Sequence, residues 1–523
     1  MPLAPASSIP FLLPQPSDHP TITMENLSSW LWYLSYILVL IGLAGFGFHR
    51  LTILFLYFKH GKKRPEPLSR FADLPLVTIQ LPVFNEKHVV DRLLESVSKL
   101  DYPQDKMQIQ LLDDSTDETV EISEKGIAKL VAQGFDAQFI HRTDRTGFKA
   151  GALENGLKFA KGDYILILDA DFVPNPDLLQ ETVHHFTDDN IALVQTRWGH
   201  LNRNFNVLTR IQAMFLDGHL ELEQTARNRS GRFFTFNGTG GIWRKSAIAD
   251  AGGWEHDTLT EDMDLSYRAQ LKGWKFIFLK EVETPAELPV DMAGFKNQQH
   301  RWTKGSIQCC KKCLPSIWRS DFPLAVKMEA TAHLTSNYAY LLLVALCFLI
   351  FPKNQWGPEL SGWTRVLVDG PIFFFASLSV VLFYAVAQRA LQPKRWWKEM
   401  IYLPLLLALG IGMSINNAKA VLEAVFNHQS GFVRTPKYGI GQEKGSSAWK
   451  KSHYKALKSL TPVFELIFGF FFLFVVADAA LAGNWPSAIL LLPFPIGFFY
   501  TSLASPGQML SFQQLIPSFL NKD

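Results

Sequence analysis

Two carboxylates separated by one residue, Leu168-Asp169-Ala170-Asp171-Phe172, stand directly after the apolar run Tyr164-Ile165-Leu166-Ile167. At the end of a strand, such a pair turns two hard oxygen ligands toward one point. Mg²⁺ or Mn²⁺ takes ligands of that kind when it bridges a diphosphate, and there it would neutralise charge on a leaving nucleotide. The same spacing also occurs in surface turns, so its weight comes from its company. Asp113 and Asp114 close a second apolar run, Met107-Gln108-Ile109-Gln110-Leu111-Leu112. Adjacent carboxylates there are costly unless they bind something. With Ser115, Thr116 and Asp117 behind them they also read as a helix N-cap, a role compatible with one of the pair touching a base or ribose.

Three further clusters carry chemistry. Thr260-Glu261-Asp262-Met263-Asp264 opens a helical stretch. The helix dipole alone favours carboxylates in a first turn. The sharper reading makes Asp262 a general base that takes the proton of an acceptor hydroxyl as it attacks a sugar's anomeric carbon. Lys149, in Phe148-Lys149-Ala150-Gly151-Ala152, is a phosphate contact or a solvated charge, and the small residues around it let backbone approach closely. Gln298-Gln299-His300-Arg301-Trp302 offers an Arg for phosphate oxygens and a Trp for the apolar face of a sugar, or else an anchor at a membrane surface. The Gly-rich Phe236-Asn237-Gly238-Thr239-Gly240-Gly241 is a turn that could bring backbone near a sugar, or a plain hairpin.

These residues need elements to hold them. Strands are expected at 76–81, 107–112 and 164–168, with helices at 88–100 and 116–133 between them. Strand–helix alternation predicts an α/β domain with a mainly parallel sheet, which binds ligands at the carboxyl ends of its strands. Outside that domain the chain is strongly apolar. It has 523 residues, 48% of them hydrophobic, with 41 Phe and 14 Trp, enough for a globular domain plus a membrane region. Residues 28–58 are long enough to span a bilayer. The basic Lys59, Lys62, Lys63 and Arg64 that follow place the next segment on the cytosolic side. Apolar runs return at 334–351, 371–388, 401–413, 462–481 and 487–503, for about five to seven spans in all. The stretch 416–426 alternates like an interfacial helix. The division expected is a disordered tail at 1–27, a membrane helix at 28–58, a cytosolic domain at 65–320 and a membrane region at 321–523 with a cytosolic loop at 427–458. A net charge of +3 gives no warrant for a nucleic-acid partner. Of the four cysteines, Cys309, Cys310 and Cys313 lack a second ligand pair for zinc and read as reduced structural thiols.

The order of motifs is more specific than any one of them. An Asp pair, D-x-D, T-E-D and Q-x-x-R-W, flanked by membrane spans, resembles the processive family-2 glycosyltransferases, which include cellulose, hyaluronan and mannan synthases. The likeness covers about residues 74–307 closely. It is finest with cellulose-synthase-like mannan and glucomannan synthases and their bacterial relatives, in Leu111-Leu112-Asp113-Asp114-Ser115-Thr116-Asp117, Val194-Gln195-Thr196-Arg197-Trp198, Phe236-Asn237-Gly238-Thr239 and Glu261-Asp262-Met263-Asp264-Leu265.

The resemblance implies a glycosyltransferase-A-type nucleotide-sugar domain joined to transmembrane helices. It implies that Asp113, Asp114, Lys149, Asp169, Gln298 and Arg301 bind the donor, that Asp169 and Asp171 hold Mg²⁺ or Mn²⁺, and that Asp262 is the base. Trp302, Asn237, Gly238, Thr239 and Glu261 fall on the acceptor side. Gly431-Phe432-Val433-Arg434-Thr435-Pro436-Lys437 is similar to the family's gating loop, with Arg434 where Val is usual. The expected partners are GDP-mannose or UDP-glucose, a growing polysaccharide, the lipid bilayer and accessory subunits. The loop wording leans to a bacterial inner membrane over a Golgi membrane. Two other readings stand beside this one. A non-processive enzyme adding one sugar to a lipid needs no Q-x-x-R-W, and a transporter with a regulatory domain needs no set of carboxylates at strand ends.

Overall fold

The structure, a computed structural model, describes residues 24–356, 374–429, 434–440 and 460–507. Seven strands form one sheet: β1 (Val77–Val83), β2 (Met107–Asp113), β3 (Asp136–His141), β4 (Tyr164–Ile167), β5 (Ile191–His200), β6 (Gly241–Arg244) and β7 (Lys275–Ala286). Their order is β3-β2-β1-β4-β6-β5-β7. All neighbours are parallel except β6, which runs against both β4 and β5.

The central strands read as continuous apolar runs because both of their faces are covered. In β4 and the residue after it, Tyr164, Leu166 and Leu168 enter one core beside Leu93 and Leu130 of the helices Val90–Ser98 and Thr119–Ala132. Ile165 and Ile167 enter the other, beside Leu153 and Leu265 of the helices Phe148–Leu157 and Glu261–Leu271. The polar residues inside β1 and β2 are paired across the strands: Thr78 Oγ1 donates to Gln108 Oε1 at 2.8 Å, and Gln80 Nε2 to Gln110 Oε1 at 3.1 Å. Because β1, β2 and β4 are parallel, the segments leaving their carboxyl ends gather at one edge of the sheet. Those segments are Phe84–Glu86, Asp113–Asp114 and Asp169–Asp171. The antiparallel β6 returns the turn at 237–240 to the same edge, where Gly240 N–H donates to Ile167 O at 2.9 Å.

Among the described residues four helical segments are long and apolar enough to cross a membrane: Ser28–His60, Leu324–Ile350, Thr461–Leu481 and Trp485–Ser505. Trp396–Gly412 and Ser414–Val425 form a fifth if this pair, bent by 40°, is one span. The bend falls where the apolar run 401–413 gives way to the amphipathic 416–426. Ser379–Leu391 is a shorter apolar helix, and residues 371–373 of the run expected at 371–388 lie outside the described residues. Most of the expected tail at 1–27 and of the loop at 427–458 also lies outside them, although 24–27 belong to the helix Met24–His60. The helix Met292–Arg319 ties the two parts together: Lys296 Nζ reaches Glu465 Oε2 at 2.6 Å, and its carbonyl accepts from Asn416 Nδ2 at 3.1 Å.

Small residues set one membrane contact. A Cβ at Gly497 would lie 2.0 Å from the Ala408 carbonyl oxygen, and one at Gly412 2.4 Å from that of Gly497. Gly497→Val therefore forces these helices apart, at about 1–3 kcal/mol, and lowers the detergent-solubilised Tm. Gly45→Ala, with nothing within 4 Å of its Cβ, leaves the Tm unchanged. Equal melting of the two variants would contradict this packing.

Candidate active site

A cleft of about 260 Å³ lies over the carboxyl ends of β1, β2 and β4. Its centre is the Lys149 ammonium, 2.6 Å from Asp169 Oδ1 and 2.8 Å from the Gly238 carbonyl oxygen. Lys149 occupies the first turn of its helix, where the dipole disfavours a cation, so these two acceptors hold it there. The helix starts tightly: Gly147 has φ +76° and Phe148 φ +48°, and a Cβ at Gly151 would meet the Thr146 carbonyl oxygen at 2.1 Å. Asp169 N–H donates to Thr239 Oγ1 at 2.9 Å. The turn that supplies Gly238 and Thr239 is clamped by β5. Gln195 Nε2 donates to the Thr239 and Gly240 carbonyls at 3.1 and 3.0 Å, and Trp198 Nε1 to Thr239 O at 3.1 Å.

The remaining expected residues fall into three groups. Asp171, Gln298, Arg301, Trp302, Asn237, Gly238, Glu261 and Asp262 line the cleft with Lys149 and Asp169. Asp114 lines it too, gripped by Arg142, whose Nε and Nη2 lie 2.8 and 2.6 Å from its two oxygens. Asp113 is outside the lining. It is fully buried, and its Oδ2 is 2.7 Å from His141 Nδ1. Thr239 is likewise buried beneath the cleft and serves Asp169 rather than the open space. Of the loop expected to resemble a gate, 431–433 lie outside the described residues, but 434–437 cross the cleft. Lys437 Nζ is 2.7 Å from Asp171 Oδ1 and 3.4 Å from Glu86 Oε1, Arg434 Nη1 is 3.5 Å from Glu86 Oε1, and Arg301 Nη2 donates to Thr435 Oγ1 at 2.9 Å.

A second cavity, about 310 Å³, shares Asn237, Asp262, Gln298 and Trp302 with the first. Beyond Trp302 it is bordered by Asn337 and Tyr340, by Gly410 and Met413, and by Asn417. These residues belong to the apolar segment Leu324–Ile350 and to the bent pair. Asp262 thus stands where a space at strand ends meets a space between membrane-length helices.

The sequence pattern "Glycosyl transferase family group 2" matches residues 164–415. Glucomannan 4-beta-mannosyltransferase 2 of Arabidopsis thaliana is 34% identical over 409 residues, 76% of this chain and 72% of that protein. The chain belongs to the family-2 glycosyltransferases, on their cellulose-synthase-like branch. Glucomannan 4-beta-mannosyltransferase 1 of Oryza sativa subsp. japonica is 39% identical over 306 residues, 56% of this chain and 58% of that protein. Among solved structures, the mannosyltransferase PcManGT from Pyrobaculum calidifontis, in complex with GDP-Man and Mn2+, shares the fold. It has a TM-score of 0.51 and 18% identity, over 75% of this chain and 100% of that one. The fold is therefore a glycosyltransferase-A-type domain with a mixed, mainly parallel sheet, joined to membrane-length helices.

The electrostatics of this glycosyltransferase follow from crowding. Burial would raise the Asp169 carboxyl, but Lys149, Lys437 and Arg301 hold it below its usual range. Burial would depress Lys149, yet Asp169 and Glu261 keep it above its ordinary value. Burial raises Glu86 despite Lys437 and Arg434. Burial and the neighbouring Glu261 charge push Asp262 up to about 7, where a carboxylate is a far better proton acceptor than at its ordinary value. The D-x-D locus fits a divalent cation. Its ligands are hard oxygens, and two ammonium groups, Lys149 and Lys437, already sit on Asp169 and Asp171. A second acidic cluster, Glu255, Asp257 and Asp264, is satisfied differently, since Lys312 Nζ reaches all three at 2.5, 2.8 and 3.1 Å. Cys309, Cys310 and Cys313 are free, buried and packed with Tyr267 and Ile317.

Phe84, Glu86 and Arg145 are among the residues of the cleft that went unread in the sequence. Phe84 and Glu86 follow β1 just as Asp114 follows β2, so the strand-end rule that found one would have found the others. Arg145 had no such signal. A general base at Asp262 would accept a proton only when ionised, so on that assignment kcat/KM should rise with pH through about 7. Glu261→Gln removes a charge that raises it and should move the rising limb to lower pH. A pH–rate profile with its limb unmoved by Glu261→Gln would detach Asp262 from that limb.

Proposed function

We propose that this protein is a processive, inverting hexosyltransferase that builds a β-1,4-linked polysaccharide of the mannan or glucomannan type from GDP-mannose, in keeping with the names of its relatives, and passes it between its own membrane helices. The observation that carries this reading is the meeting of the two cavities at Asp262 and Trp302. A chain that grows at Asp262 needs a space of this kind to leave by, and Trp302, Tyr340, Asn337 and Asn417 border it with aromatic and amide groups that suit a sugar chain. The names of the relatives at 34–40% identity, glucomannan 4-beta-mannosyltransferases, support a mannosyl donor. The basic stretch after the first helix supports a multi-pass protein with the sheet domain on the cytosolic side.

On this reading the donor diphosphate lies against Lys149 and the D-x-D pair, and Arg301 and Gln298 close over it from the helix Met292–Arg319. Asp169 and Asp171 would hold a divalent cation, which would supply charge neutralisation to the leaving diphosphate. The acceptor end of the chain enters from the second cavity with a sugar against Trp302, whose indole offers an apolar face to the pyranose C–H groups. Asp262 takes the acceptor hydroxyl proton as that oxygen bonds to the anomeric carbon. The bond from that carbon to the phosphate oxygen breaks on the opposite side, which inverts the configuration. Thr239 and Gln195 act indirectly, by fixing the turn that holds Lys149 and borders Asp262.

Asp262→Asn should reduce polymer synthesis by at least about 10²-fold, the scale of a lost general base, while nucleotide binding stays near the wild-type level. Turnover at a normal rate would remove Asp262 as the base. Trp302→Ala should shorten the product and slow elongation more than it slows donor hydrolysis. Equal loss of both would place Trp302 with the donor instead of the growing chain.

A further inference from the structure

Two carboxylates line the second cavity: Asp262, which it shares with the cleft, and Glu223, which it does not. His219 lines it as well, and among the described residues that border it there is no lysine or arginine. A phosphate or an acidic sugar would meet carboxylates in this space with neither of those cations to offset them. An uncharged sugar would meet acceptors for its hydroxyl groups.

His219 and Glu223 both come from the segment Gly218–Gln224, a π-helical turn, and such turns recur at functional sites. His219 Nδ1 lies 3.0 Å from Glu223 Oε2, and Arg227 Nη1 donates to the same oxygen at 3.2 Å. Arg227 is buried and also donates through Nε to Glu329 Oε1 at 2.9 Å, which ties the carboxylate to the membrane-length segment Leu324–Ile350. Burial would raise Glu223, but Arg227 and His219 hold it below its usual range. It is therefore ionised at neutral pH, where it accepts hydrogen bonds and donates none. Both of these bonds go to Oε2, and Oε1 has no partner among the described residues. The side chains of His219 and Glu223 are 30% and 25% exposed, so a molecule in the cavity has access to both. With His219 Nδ1–H donating to Glu223, the other ring nitrogen, Nε2, is 3.5 Å from Asn237 Oδ1, an oxygen that already accepts from Gln224 Nε2 at 2.9 Å. Asn237 borders both spaces, and the next residue, Gly238, approaches the base so closely that a Cβ there would be 3.0 Å from Asp262 Oδ2. Two residues of one turn thus separate the pair from the reacting hydroxyl, which puts the pair beside the sugar next to the one that reacts.

We propose that His219 and Glu223 hold the sugar behind the reacting end of the growing chain by its hydroxyl groups, and that they restrict the chain to uncharged sugars. The inference rests on the processive reading above. Glu223 accepts from a hydroxyl and repels a carboxylate, and Arg227 keeps it charged and in place.

The test uses the full-length protein in detergent and equilibrium binding of two labelled probes. One is β-1,4-mannotriose, and the other is the same trisaccharide built of mannuronic acid, with a carboxylate on each unit. Wild type should bind the neutral probe at least about 10-fold more tightly, the scale of one hydrogen bond to a charged group. Glu223→Gln, which keeps the size of the side chain and removes its charge, should weaken the neutral probe about 10-fold. It should bind the acidic probe as well as wild type does or better, with GDP affinity at the wild-type level. A merely structural role for Glu223 would cost both probes alike. Equal binding of the two probes by wild type overturns the proposal without any variant, and so does an equal loss on both in Glu223→Gln. A wild-type protein that binds neither probe yet makes polymer from GDP-mannose overturns this sugar site and leaves the processive reading standing. One that binds neither probe and makes no polymer refutes that reading, and this proposal with it.

Discussion

Carboxylates crowd the strand ends of this protein. Glu86, Asp114, Asp169, Asp171, Glu261 and Asp262 all border one cleft, and like charges brought together out of water repel unless cations stand between them. Lys149 is the one of those cations that the sheet domain's own helix supplies beside Asp169. It joins the end of β4 through Asp169, the turn before β6 through the Gly238 carbonyl, and its own helix start. Asp262 lies close to the same point, since a Cβ at Gly238 would be 3.0 Å from its Oδ2 and 3.6 Å from Lys149 Nζ. Without this ammonium, the carboxylates that could hold a metal and the one placed to take a proton would be driven apart or protonated. The chemistry therefore depends on one lysine placed against its helix dipole.

Other cations come from beyond the sheet. Lys437 and Arg434 approach Asp171 and Glu86 from a segment that follows the bent helix pair. Arg301 links that segment to the helix Met292–Arg319 through Thr435. Charge balance at the strand ends thus couples the catalytic domain to the membrane-length helices, beside the point where the two cavities meet. A nucleotide diphosphate entering the cleft would bring negative charge to a place already balanced by long cationic side chains, so the same lysines and arginines that satisfy the carboxylates are in position to donate to phosphate oxygens.

Much of this was legible in the sequence, for a physical reason. Buried parallel strands are uninterrupted apolar runs, so β1, β2 and β4 and the acidic residues at their ends could be read directly. β3, β5, β6 and β7 could not. β3 is an edge strand whose residues are only half buried, β6 has four residues, and the bulged pairing of β5 with β7 breaks their period. Adjacent acids also hide which one faces the site: Asp113 turns to His141 while Asp114 turns to the cleft, because successive strand residues point to opposite faces. The roles of Thr239 and Gln195 as clamps, and of Glu86 as partner to Lys437, arise from contacts between distant segments that no local pattern reports. The second cavity was beyond sequence reading for the same reason, as it is assembled from several helices far apart in the chain and a turn.

The central claim is that one continuous path leads from the donor site past Asp262 into the membrane helices. It is tested most directly by reconstituting the wild-type protein into sealed vesicles with GDP-[¹⁴C]mannose and Mg²⁺ or Mn²⁺ outside, then sizing the product and treating the intact vesicles with an external β-mannanase. The account predicts a long β-linked polymer that resists the enzyme until detergent opens the vesicles. A single labelled sugar on lipid, or a polymer fully digested in intact vesicles, would contradict it.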